Sequence, residues 1–156
     1  MEQIVEELQQ IVDEFAKKIE AIPDDVFSDK PLPHKWSKKE VLGHLIDSAS
    51  NNLRRFVVGQ DASTPSKIVY DQDFWVKANN YQQASKADVI AHWQLINRQI
   101  GAILLSMPGE NYSKLCDTGK TEVNLRSLDW LAADYVKHLK HHLNQIISAS
   151  FDVIYP

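Results

Sequence analysis

A chain of 156 residues with 44% hydrophobic and 24% charged side chains can bury one sizeable core, so a single domain over 1–156 is expected rather than two. Its formal charge of −4 comes with no basic tract and no Lys/Arg stripe interleaved with aromatics, which argues against a nucleic-acid partner. Five glycines and six prolines are few for a strand-and-turn fold, and the single cysteine, Cys116, excludes an intrachain disulfide and favours a reducing, cytoplasmic setting.

The opening MEQIVEELQQ is acidic and amphipathic, without the basic and apolar regions of a secretory signal, and no run approaches the roughly 18 apolar residues that span a membrane. Residues 2–22 place Ile4, Val5, Leu8, Ile11, Val12, Phe15, Ile19 and Ile22 at three- and four-residue steps, the period of a helix with one buried stripe. Pro23 ends it, and a proline-rich connection with Pro31 and Pro33 follows.

Ser37 and Glu40 have capping-box spacing, with Trp36 placed to staple onto Val41. A second helix then runs to about Val58, with Gly59 as its stop. Residues 60–84 lack clean periodicity and read as a long connection holding a short helix in DQDFWVKANN. Ser85 with Asp88 starts a third helix, carrying Val89, Ile90, Trp93, Ile96, Ile100, Ile103 and Leu104 to the break at Met107-Pro108-Gly109. A second long connection, 108–124, holds Cys116 without a local histidine to activate it, so this thiol is expected to be inert. The fourth helix begins near Asn124 to Ser127 and continues to about Ser150. The expected fold is all-α, a four-helix bundle with long connections.

That fourth helix carries HLKHHLNQI at 138–146, three histidines within five positions. With about 100° of turn per residue, His138 and His142 stack on one edge of the buried stripe, while His141 falls on the solvent side. Two imidazoles four apart can hold one metal ion between successive turns; they can equally be a pair packed against a neighbouring helix. A metal site needs a third ligand. His34 lies in the proline-rich loop, and His92 flanks an apolar stripe as a packed or surface residue. His44 heads a polar stripe with Asp47, Ser48, Asn51 and Arg55, about 140° from the apolar centre of its helix. Such a stripe is either a solvated face or one wall of a polar cleft.

WSKKEVLGHLIDSASNN at 36–52, followed by DYVKHLKHHLNQI at 134–146, resembles the DinB-like (YfiT-like) family of metal-binding four-helix bundles. The resemblance covers nearly the whole chain. It implies a divalent metal held by His44, His138 and His142, with His141 a non-ligating neighbour. Three neutral imidazoles with open positions suit Zn²⁺ or Ni²⁺ first, and Fe²⁺ or Mn²⁺ next. Asp47, one turn on from His44, is placed to orient it, and Asn51, Tyr135 and Gln145 to line the same pocket. The resemblance further implies metal-dependent hydrolysis or S-transfer on a small molecule, with a low-molecular-weight thiol such as bacillithiol or mycothiol as candidate substrate. The competing readings are a non-catalytic metal- or ligand-binding stress-response bundle and a metal-free helical dimer. A homodimer is expected only as the commonest symmetry.

Overall fold

The computed structural model describes residues 1–61 and 63–155. Helix α1, Glu2–Glu20, buries Val5, Leu8, Ile11, Val12, Phe15, Ala16 and Ile19, the stripe that its periodicity predicts. The connection after it contains a short helix, α2 (Asp24–Ser28), which Pro23 opens and whose Phe27 is fully buried. Helix α3, Lys38–Asp61, begins at the predicted capping box: Ser37 N–H donates to Glu40 Oε2 at 2.9 Å, and Glu40 N–H to Ser37 Oγ at 3.1 Å.

The short strand β1 (Ser66–Lys67) and helix α4 (Gln72–Asn79) lie in the long connection, α4 with Asp71 accepting from the N–H groups of Asp73 and Phe74. Helix α5, Lys86–Ser106, starts at Ser85, whose Oγ accepts from Asp88 N–H at 3.1 Å. Strands β2 (Leu115–Asp117) and β3 (Leu125–Ser127) precede helix α6, Leu128–Ile146.

The four long helices form the expected bundle. Helix α5 packs on α1 and α3, and α6 packs on α3 and α1, so α1 stands diagonally opposite α3. Trp93, Tyr135, Phe15 and Phe56 are among the largest side chains sealed in the core between them. Burying each such aromatic or aliphatic side chain contributes about 1.5–3 kcal/mol, which is where a bundle of this kind gets its stability. The described residues include no helix long and apolar enough to cross a membrane.

Three boundaries differ from the sequence reading. Gly59 does not stop α3, which continues to Asp61; a Cβ there would lie 2.8 Å from Leu128 Cδ2, so this glycine admits a neighbouring side chain. The segment read as the start of the fourth helix is strand β3. It pairs antiparallel with β2, which pairs in parallel with β1, and this small sheet ties the two long connections together. The fourth helix ends at Ile146 rather than near Ser150. Asn144 Oδ1 accepts from the N–H groups of Ser150 and Phe151, while Ala149 takes a left-handed φ of 57°, turning the chain back along α6.

Helix α3 is buried on every side from Lys39 to Ala49. Gly43 makes this possible where the turn Tyr81–Gln83 crosses it, because a Cβ at 43 would lie 2.1 Å from Tyr81 Cδ2. An exposed helix interior gains about 1 kcal/mol from Gly→Ala. Gly43→Ala is expected to do the opposite, costing about 1–3 kcal/mol by overpacking against Tyr81. Urea denaturation followed by circular dichroism measures the sign.

Candidate metal centre

Successive turns of α6 bring His138 and His142 onto one face, with ring centroids 4.4 Å apart. The buried middle of α3 supplies His44 opposite them, its ring 5.2 Å from His138 and 4.5 Å from His142. The Nε2 atoms of His44 and His138 are 3.3 Å apart, and all three residues offer ring nitrogens within 4.8 Å of one another. No other such grouping of His, Cys, Asp or Glu exists among the described residues. His44 is fully buried, so the periodicity that put it on a polar, outward face is corrected. The whole helix face is covered, and Asp47, Ser48 and Asn51 are buried with it.

The donor set fits a divalent cation. The Nε2 atoms of His44 and His138, 3.3 Å apart, have room for one shared proton, and a cation bound to both lone pairs would take that proton's place. Gln145 Oε1, an acceptor, sits 3.3 Å from His142 Nδ1, which places the proton there and leaves His142 Nε2 as a lone pair. His44 Nδ1 is buried without a hydrogen-bond partner among the described residues. On one side the group opens into a cleft of about 920 Å³, lined by Val26, Leu32, Trp36, Gln72, His142 and Gln145.

The remaining candidates divide. Asp47 does not orient His44: its Oδ1 accepts from Tyr81 Oη at 2.7 Å and Asn79 Nδ2 at 2.8 Å. Asn51 is buried and donates back to the Asp47 carbonyl at 2.9 Å. Tyr135 is sealed in the core and donates to Asn97 Oδ1 at 2.6 Å, a helix–helix contact rather than a pocket wall. Gln145 does sit at the centre, bridging His142 and His141. His141 stays out of the group but is half-buried, its ring 4.9 Å from that of His142 and 5.7 Å from that of Tyr155. His34 and His92 are exposed. Cys116 is fully buried in β2, with Sγ against the Ser66 carbonyl, in keeping with an inert thiol.

Sequence reasoning missed two neighbours. Trp36, expected only as a staple, lays its ring 5.0 Å from that of His44. Tyr155 returns from beyond α6 to set its ring 5.3 Å from that of His138. Its hydroxyl donates to Asp134 Oδ2, and nothing in the local spacing announces that long fold-back.

Comparison with known proteins gives this arrangement a family. A profile of the DinB superfamily matches residues 6–146. The chain belongs to the DinB superfamily. Among curated relatives of this DinB-superfamily chain is a Bacillus subtilis protein named "Putative metal-dependent hydrolase YfiT", 21% identical over 146 residues that cover 94% of this chain and 82% of the relative. The solved structure of YfiT, described as a probable metal-dependent hydrolase with an unusual four-helix bundle topology, superposes with a TM-score of 0.83 over 92% of this chain and 82% of its own. A mycothiol-dependent maleylpyruvate isomerase superposes at 0.73 with 7% identity; this chain, 98% covered, spans 64% of it. A DinB-like protein, YjoA of Bacillus subtilis, superposes at 0.61 with 17% identity over 98% of this chain and 96% of its own. At such low identities, these likenesses speak for the DinB fold alone.

In this DinB bundle the three imidazoles are kept neutral. Burial, reinforced by repulsion from His142, pushes His44 down to about 3. Burial and the neighbouring histidines push His138 to about 2. His142 falls to about 4, burial outweighing the hydrogen bond to Gln145 that acts the other way.

All three folded values lie below the ordinary histidine value of about 6.5, so between them the unfolded chain binds more protons. The stability they confer is therefore complete above pH 6.5 and is lost progressively as pH falls from there towards 4 and below. Asp47, raised by burial to about 6, works in the opposite sense between about pH 4 and 6. The metal-free protein is expected to lose stability below pH 6.5, and His138→Gln to flatten that slope. Urea midpoints of both proteins at pH 7.5, 6, 5 and 4 test it; parallel curves would contradict it.

Proposed function

We propose that this protein is a metal-dependent enzyme acting on a small molecule, by hydrolysis or by transfer of a low-molecular-weight thiol, with His44, His138 and His142 as the ligands. One observation carries the reading: three neutral imidazoles from two helices, His44 buried and His138 and His142 half-buried, converge where a cleft opens. A divalent ion with three protein ligands would supply Lewis acidity, lowering the pKa of a bound water to about 7 and deprotonating a bound thiol outright. The protein's part is to keep the imidazoles unprotonated, to orient His142 through Gln145 and to cover His44 with Trp36. The cleft, with apolar Val26 and Leu32 beside polar Gln72 and Gln145, has the size of sites that take small organic molecules.

Names among the relatives support each half of the reading, a metal-dependent hydrolase on one side and a mycothiol-dependent isomerase on the other. No carboxylate joins the three-histidine group among the described residues; Asp47 accepts from Tyr81 and Asn79 through Oδ1 alone.

Protein purified without chelator is expected to carry about one divalent ion per chain, lost in His44→Ala and His138→Ala and kept in His141→Ala, by elemental analysis. Conjugation of bacillithiol or glutathione to a model electrophile, and hydrolysis of an ester panel, are expected to fall to background in His138→Ala. Equal metal content in His44→Ala would remove that residue from the centre. Stoichiometric metal without turnover of any thiol or ester would leave a non-catalytic binding bundle.

A further inference from the structure

The polar stripe of α3 does more than deliver His44. One turn further on, Ser48 Oγ lies 3.4 Å from His138 Nδ1. Ser48 is itself 3% exposed, and its neighbours leave little freedom in how its hydroxyl is used. Asn52 Oδ1 faces Arg55 Nη1 at 3.2 Å, and a guanidinium only donates. Asn52 Nδ2 faces the Ser48 carbonyl at 3.0 Å, and a carbonyl only accepts. The Asn52 amide is thus fixed in orientation from both ends, and the same Nδ2 also points at Ser48 Oγ, 3.4 Å away. Arg55 is anchored in turn, giving Nη2 and Nε to the Ile68 carbonyl at 2.8 and 3.2 Å. The far side of the His138 ring assigns the donor: His44 Nδ1 is buried without a hydrogen-bond partner among the described residues, so in metal-free protein the His44 proton is better placed on Nε2, where it is given to His138 Nε2 3.3 Å away. Hydrogen bonds therefore run Arg55 to Asn52 to Ser48 along buried turns of one helix and end on the outer nitrogen of His138.

We propose that Ser48, buttressed by Asn52 and Arg55, is the positioning residue that holds His138 as the Nδ1–H tautomer, with its Nε2 lone pair directed at His44 and His142. Ser48 accepts from His138 Nδ1–H; moving that proton to Nε2 would either set a second N–H against His44 Nε2–H or force the His44 proton onto its partnerless Nδ1, leaving a buried N–H unpaired at a cost of about 1–3 kcal/mol. Outer hydrogen bonds of this kind fix ring orientation and ligand basicity at metal sites. The tautomer assignment stands on the hydrogen bonds alone; its value for metal affinity rests on the function proposed above.

Long-range ¹H–¹⁵N correlation of the histidine side chains in metal-free protein reads the tautomer directly. Wild type and Ser48→Thr are expected to show His138 as Nδ1–H. Ser48→Ala is expected to shift it towards the Nε2–H form that an unconstrained imidazole prefers. Competition with a chromophoric chelator is expected to show Zn²⁺ held about tenfold or more weakly by Ser48→Ala, with Ser48→Thr restoring it. An Nε2–H His138 in wild type overturns the inference, needing no variant, and so does an unchanged tautomer in Ser48→Ala. A wild type with the expected tautomer that fails to bind Zn²⁺ supports the positioning role and sinks the proposed function instead.

Discussion

The structure depends on burying a polar helix face. Helix α3 sits between α5 and α6, with the α4 connection laid across it, and from Lys39 to Ala49 it has no exposed side. Unpaired polar groups in such a place cost about 1–3 kcal/mol each, enough for two or three to erase a domain's margin of stability. The helix meets this largely from its own resources. Asn51 and Asn52 turn their amide nitrogens onto the carbonyls of Asp47 and Ser48, and Ser50 bonds the Ile46 carbonyl. What remains unsatisfied on this helix, among the described residues, is His44 Nδ1, Asp47 Oδ2 and Asn51 Oδ1, spread over about two turns, with Trp93 Nε1 on α5 unpartnered as well.

The same burial sets the chemistry. A solvated histidine is partly protonated near neutral pH, and protonation abolishes the lone pair that a metal needs. Here the low dielectric keeps all three rings as neutral donors well into the acid range. The three histidines also come from helices rather than from loops, two from α6 and one from α3, so their spacing follows from how those helices pack. Of the three histidines only His142 lines the cleft, with Gln145 and Trp36 beside it.

Much of this was legible in the chain and some was not. The long helices announce themselves because α1, α5 and α6 keep one apolar stripe each, and the boxes at Ser37/Glu40 and Ser85/Asp88 mark starts that the structure repeats. The His138/His142 pair was readable from four-residue spacing alone. His44 was not: a wheel assumes that polar means outward, and that assumption fails on a helix whose polar groups are satisfied by its own backbone. Family resemblance, not periodicity, promoted it. The sheet escaped notice because its strands are two or three residues long, too short for alternation to register. Gly59 misled for a related reason, since a glycine that makes room for Leu128 and one that ends a helix look alike in a sequence.

The fold-back after α6 has a practical consequence at the bench. Asn144 clamps the turn, Phe151 stacks on Phe15 with ring centroids 5.1 Å apart, and Tyr155 ends against His138 and His141. Histidines introduced next to Tyr155 would lie beside the native imidazoles and compete with them for any metal added, so metal stoichiometries of such a variant would report the added residues as much as the native three.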